Sequence, residues 1–189
     1  MGHCSASNCR QDYLEALIEA MGRHKGAHRV DSLGSCKTTR AEGAPWVEDT
    51  SAAEYLFMWA VENANCRDYI TEKLTRAVRH GAVPIVFAPM HDGRPTPDYD
   101  AVLPRGSYVN IADFQSQWHL VQHLAHVARN ATAYRRYHWF RHLPAEEQRK
   151  FRARFVAKLQ ASTSTSKMTQ RAAVIMKQQA GVAMHARIS

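Results

Sequence analysis

The chain is predicted to be an α/β protein with a Rossmann-like parallel sheet covered by helices on both faces, and three observations predict it. Short apolar runs at Tyr55 to Val61 and Ala82 to Phe87 read as buried strands. Between them Ile70, Leu74, Ala77 and Val78 repeat at helical spacing, so strand, helix and strand follow in succession. A further strand at Ser107 to Ile111, again followed by a helical pattern, continues an alternation that favours a parallel sheet.

The elements are justified in chain order. Leu14, Leu17, Ile18 and Met21 fall at i, i+3, i+4 and i+7, one apolar face of a helix beginning near Asn8 to Arg10. His28 to Gly34 reads as a short strand ending in a turn. The helix expected over Asp68 to His80 is stopped by Gly81, and Ala88 to about Tyr99, rich in Pro, Gly and Asp, is read as a loop. Ser116 is the expected N-cap of a helix whose inner face carries Leu120, Leu124 and Val127. Helices over Ala131 to Leu143 and Ala145 to Gln160 come next without strands, the second with a narrow stripe of Phe151, Phe155 and Leu159. Beyond Ala161 the Ser/Thr run predicts a mobile end. The expected division is a Rossmann-like body over residues 1–143 and a basic helical extension with a tail over 144–189.

At 189 residues and 45% apolar content, the chain can bury one core of ordinary size. No run reaches the roughly 18 to 20 apolar residues of a membrane span, and MGHCSASNCR lacks the basic and apolar regions of a secretion signal. The net charge of +8 is uneven: residues 1–130 hold 13 Lys/Arg against 15 Asp/Glu, and 131–189 hold 12 against 2. A basic end of this kind is more often solvated surface, with contact to nucleic acid or acidic partners as the alternative. Cys4, Cys9, Cys36 and Cys66 match no zinc-ribbon spacing and leave disulfides or buried thiols open. Asn130-Ala131-Thr132 is a glycosylation acceptor triplet. His119, His123 and His126 share one helix face at a spacing zinc would accept, but without the glutamate of H-E-x-x-H they read as surface histidines. Tyr134, Tyr137, Trp139 and Phe140 read as packing residues.

In open α/β sheets, ligands bind outside the carboxyl ends of the strands. Two segments fit: Asn8 to Arg10, before the first helix, and Glu62 to Lys73, between a strand and the next helix. Unpaired N–H groups and a partial positive charge at either helix start suit a phosphate. The stretch VENANCRDYITEKL, residues 61–74, gathers Glu62, Asn63, Asp68, Tyr69, Thr71, Glu72 and Lys73 around one turn. A nucleoside diphosphate needs cations for its charge, a carboxylate or amide for ribose hydroxyls and something flat for base or sugar, and the turn offers all three. A capped, solvated helix start is the competing reading of the same residues.

YLFMWAVENANCRDYITEKL followed by GAVPIVFAP resembles the signature of α-1,3-fucosyltransferases, approximately Y-K-F-x-L-x-F-E-N-S-x-x-x-D-Y-[IV]-T-E-K, a helix, then G-[AS]-V-P-[IV]-V. The resemblance continues through Asp98-Tyr99, Leu103-Pro104 and SYVNIADFQS at 107–116, and upstream through SNCRQDYLEAL at 7–17 and VDSLGSC at 30–36. It implies the second, donor-holding lobe of a two-lobed GT-B enzyme, which transfers fucose with inversion from GDP-fucose to a GlcNAc hydroxyl of a glycan, N-glycan GlcNAc above others. Carried over by position, Lys73 and Arg10 would contact the diphosphate and stabilise the leaving group, Glu72 would bind ribose hydroxyls, and Asn63 and Tyr69 would line the donor site. Glu62 and Thr71 rank behind these, as residues shaping the turn. The resemblance further implies that donor binding needs no metal or other cofactor and no nucleic acid. It puts the general base in an N-terminal acceptor lobe supplied by a longer chain, and residence on the lumenal side of the Golgi membrane. Departures are a truncated first strand of the GDP-fucose-binding lobe over 1–143, since the family has a hydrophobic strand before S-N-C and only MGHCSA precedes Ser7 here, Val61 where the family has Phe, Ala64 where it has Ser, and a longer loop after Ala88.

Overall fold

The structure, a computed structural model, describes residues 9–24, 30–32, 54–66 and 69–162, the last five as backbone. Phe57–Trp59 (β1), Val83–Val86 (β2), Met90–His91 (β3), Arg94–Pro95 (β4) and Val109–Asn110 (β5) are its strands. Arg10–Arg23 (α1), Glu72–His80 (α2), Gln117–Arg129 (α3), Ala131–Arg136 (α4) and Ala145–Ser162 (α5) are its α-helices. The expected α/β class holds at this level: β1, β2 and β5 form a parallel sheet in that order, with Phe57 opposite Val83 and Ile85 opposite Val109.

β2 is buried at every position, as a central parallel strand covered on both sides should be. Its Pro84 would ordinarily argue against a central strand, because it brings no N–H. The ladder shows why it fits: Val83 and Ile85 use their backbone groups toward the β1 side, and pairing with β5 begins only at Ile85. The missing donor therefore faces a place where no neighbouring strand has begun.

Alternation along the strands divides the core in two. Val61, Val83, Ile85, Val109 and Ile111 point to one face, where Leu17, Ala20 and Met21 of α1 and Leu120, Val121 and Leu124 of α3 cover them. Ala60, Val86 and Ala88 point to the other, where they meet Ile70, Leu74 of α2, Tyr99, Val102, Leu103 and Phe155 of α5. Helices thus lie on both sides, and α5, expected as an extension, contributes a fully buried phenylalanine to the second face.

Several boundaries differ from expectation, each for a local reason. α2 starts at Glu72, four residues after Asp68, because Thr71 is its N-cap; it ends at Gly81 as expected, with φ 78° and the N–H of Ala82 bonded to the carbonyl of Ala77. The segment read as a loop after Ala88 contains the hairpin β3–β4, closed by Asp92 and Gly93 at φ 50° and 73°. The strand expected over Ser107 to Ile111 shrinks to two residues because the Asn110 side chain accepts from the N–H of Ala112 and turns the chain into a 3-10 helix. The helix expected over Ala131 to Leu143 breaks after Arg136 and resumes as a 3-10 turn at Trp139–His142. Val30 to Ser32 carry no strand pairing, and the rest of the strand expected there, Asp68, Cys4, Cys36 and the tail beyond 162 lie outside the described residues. Ser116 caps α3 as expected, accepting from the N–H of His119 at 3.3 Å.

Candidate functional site at the carboxyl edge of the sheet

The site grows from one consequence of strand parity. Leaving β1, the chain turns Val61 into the first face and Glu62 into the second, where the carboxylate is 1% exposed. A buried carboxylate needs donors and a counter-charge. Both arrive from the start of α2. The N–H of Thr71 donates to Oε1 of Glu62 at 2.7 Å, and the Thr71 hydroxyl lies 2.9 and 2.8 Å from its two oxygens. The Lys73 ammonium donates to Oε2 of Glu62 at 2.9 Å and to Oγ1 of Thr71 at 2.9 Å. Thr71 also serves as the N-cap of α2, its oxygen 3.5 Å from the N–H of Lys73. One carboxylate therefore fixes where the helix starts and where its first cation sits.

Around this knot stand the remaining expected residues. Glu72 is half exposed and its Oε1 lies 3.8 Å from the Lys73 ammonium, an ion pair without a hydrogen bond. Asn63 is half-buried beside Glu62, and Tyr69 is exposed, its N–H bonded to the carbonyl of Cys66 at 3.1 Å. Tyr99 underlies the same region: its hydroxyl is buried without a hydrogen-bond partner, and burial first, then the nearby charge of Glu62, raises its pKa beyond the ordinary tyrosine range.

Arg10 is the first residue of α1 and is 8% exposed; Cys9, before it, adopts φ 55° without a side-chain cap. Tyr13, one turn on, packs its ring 4.8 Å from that of Phe87, the residue that follows β2. The beginnings of α1 and α2 thus lie at the same carboxyl edge of the sheet, while the two helices cover opposite faces. The structure gathers Glu62, Thr71, Glu72 and Lys73 into one cluster; Arg10 begins the helix on the other face of the sheet. Glu62 and Thr71, ranked lowest by sequence reasoning, are its geometric centre. The signal that finds them is parity: a carboxylate two residues after buried Ala60, on the same side, has to be paired.

Two of the α3 histidines are hydrogen-bonded to hydroxyls. Nε2 of His123 is 2.6 Å from the Tyr137 hydroxyl and Nδ1 of His119 is 3.2 Å from Oγ of Ser116. Among the described residues no group of three or more His, Cys, Asp or Glu side chains is arranged to hold a metal ion. A shallow surface depression lined by His24, Gln122, His126 and Arg129 lies on the flank of α3, away from the knot.

The family model described as glycosyltransferase family 10 (fucosyltransferase), C-terminal part, matches residues 1–180. α-(1,3)-Fucosyltransferase C of Drosophila melanogaster is 31% identical over 142 residues, which cover 75% of this chain and 30% of that protein. α-(1,3)-Fucosyltransferase 4 of Rattus norvegicus is 41% identical over 148 residues, again 75% of this chain and 30% of the relative. Its Homo sapiens counterpart is 42% identical over 93 residues, 48% of this chain and 17% of the relative. The chain therefore spans less than a third of the length of these relatives.

Proposed function

The chain belongs to glycosyltransferase family 10, the fucosyltransferases, and on that premise we propose that its carboxyl-edge cluster holds the GDP moiety of GDP-fucose for α-1,3-fucosyl transfer. The observation that carries this reading is the ammonium of Lys73, fixed at a helix start by Glu62 and Thr71 and still 27% exposed to an incoming anion. In this reading the lobe is Rossmann-like, the donor half of a GT-B enzyme.

The residues divide the task. Lys73, from the second face, and Arg10, from the first, flank the diphosphate; Glu72, exposed at the same helix start, takes the ribose hydroxyls; Asn63 and Tyr69 line the approach. As the bond between the fucosyl carbon and the phosphate oxygen breaks, charge accumulates on the departing GDP. Fixed cations stabilise that state more than they stabilise bound donor. These side chains, rather than a resident metal ion, supply the counter-charge. The acceptor is a GlcNAc hydroxyl of a glycan, N-glycan GlcNAc in first place, attacked with inversion. The base that takes its proton is not assigned to a residue of this chain. In this reading the work on glycans takes place on the lumenal side of the Golgi membrane; no helix among the described residues is long and apolar enough to cross a membrane.

Calorimetric titration of the 189-residue chain with GDP and GDP-fucose tests the reading. Binding is expected, with a loss of about 10- to 100-fold in Lys73→Ala, the range of a hydrogen bond to a charged group. Absence of GDP binding by the folded wild-type chain would overturn it, as would RNA binding with a steep salt dependence that Lys73→Ala leaves untouched.

A further inference from the structure

We propose that Glu62 is the positioning residue of Lys73: the buried carboxylate, with Thr71, holds two of the three ammonium protons so that the third stays aimed at the diphosphate. This rests on the donor-site reading above and deepens it. A lysine ammonium is a compact charge with three donors on a flexible four-carbon stem, so an unheld lysine samples many positions. Here two donors are committed, to Oε2 of Glu62 at 2.9 Å and to Oγ1 of Thr71 at 2.9 Å. Glu72 does not take the third, since its carboxylate stands 3.8 Å away.

The holder is itself held. Glu62 is 1% exposed and cannot swing into solvent, and it receives the N–H of Thr71 at 2.7 Å. Thr71 in turn caps α2, so carboxylate, hydroxyl, ammonium and helix start share one frame. An exposed counter-ion would follow its lysine about; a buried one dictates where the lysine goes. Glu62 touches no reacting atom in this account and acts through Lys73 alone.

The test combines a measurement that needs no ligand with one that does. In the full chain labelled with 15N-lysine, the ammonium signal of Lys73, identified by its loss in Lys73→Met, is expected to exchange slowly with water. Glu62→Gln is expected to abolish that slow exchange. In GDP titrations Glu62→Gln should raise Kd about tenfold, the scale of a charged hydrogen bond, with Glu62→Asp in between. In a Lys73→Met background the same change should shift Kd by less than about twofold, because the effect has no other route. Should Glu62→Gln fail to fold, Thr71→Val removes the second acceptor and must show the same dependence on Lys73. An unchanged Kd in Glu62→Gln, or an equal change in both backgrounds, overturns the proposal. A Glu62-dependent ammonium signal in a wild-type chain that binds no GDP refutes the donor-site reading and the diphosphate's part in the proposal, while the Glu62–Lys73 coupling stands.

Discussion

The cluster beneath α1 and α3 is built of Leu, Ile, Val, Ala and Met side chains, whereas the cluster beneath α2 and α5 takes in Tyr99 and borders the buried Glu62. The first face packs the sheet and carries Arg10, at the start of α1, to the proposed site. The second packs the sheet and, at its carboxyl edge, buries a carboxylate paired with an ammonium. Two adjacent residues, Val61 and Glu62, mark the division, because a step of one along a strand moves a side chain to the opposite face. The buried carboxylate and its ammonium can therefore be probed apart from the packing of the first face.

The most damaging substitutions break that separation outright. Leu120→Ala on the first face and Leu74→Ala on the second each empty a fully buried position and should cost about 2–5 kcal/mol in urea unfolding. Only Leu74→Ala, directly after Lys73, is expected to weaken GDP binding by the molecules that remain folded. Equal binding defects would mean that the two faces are not independent.

Thr71→Val removes a helix cap and one donor to a buried carboxylate, so about 2 kcal/mol of stability should be lost by thermal or urea melting. A replacement at an exposed cap lacking the second role would cost roughly half as much. The excess measures what the second face adds to an ordinary helix start.

A pH series sharpens the comparison from the first face, which His138 adjoins through a ring contact of 4.9 Å with Tyr134. Burial, reinforced by the charges of Arg141 and His142, lowers the pKa of His138 from 6.5 to about 4. The unfolded chain then binds a proton that the folded one refuses. The contribution is intact above pH 6.5, falls as pH drops from 6.5 toward about 4, and is flat below. His138→Phe should show a shallower decline in urea midpoint over that window than the wild-type chain. Parallel pH profiles would refute the assignment.

Smallest of all is Tyr99→Phe. Its hydroxyl is buried without a partner, so its removal should change stability by no more than about 0.5 kcal/mol, or raise it slightly. A large loss would reveal a bond from that hydroxyl to Glu62 in solution and draw Tyr99 into the charged cluster.

How far the sequence could be read follows the same division. Where a feature depends on neighbours along the chain, reading succeeds: the helical face ending at Gly81, the Ser116 cap and the buried run at β2 all appear where periodicity and capping residues put them. Where it depends on a distant partner, reading falls short. Thr71 is a good N-cap by type, but that it caps α2 in place of an earlier residue follows from a carboxylate nine residues back that draws in its N–H, which lies outside local propensity. The hairpin at residues 90–95 was signalled locally by Asp92-Gly93, a turn pair whose weight was lost in a segment read only as loop. Among the site residues, Lys73 and Glu72 share the expected turn, whereas Arg10 begins a helix that covers the opposite face, a relation visible only once the strands are paired.

One contact on the far side of the molecule bears on all of this. The Tyr134 hydroxyl lies 3.1 Å from the carbonyl of Leu56, just before β1, and 3.3 Å from that of Gly81, just before β2. A single phenol thus buttons together the roots of the two strands whose tips bear the binding residues. Shortening the chain to end ahead of it would spare every residue at the tips and still let those strands slip past one another.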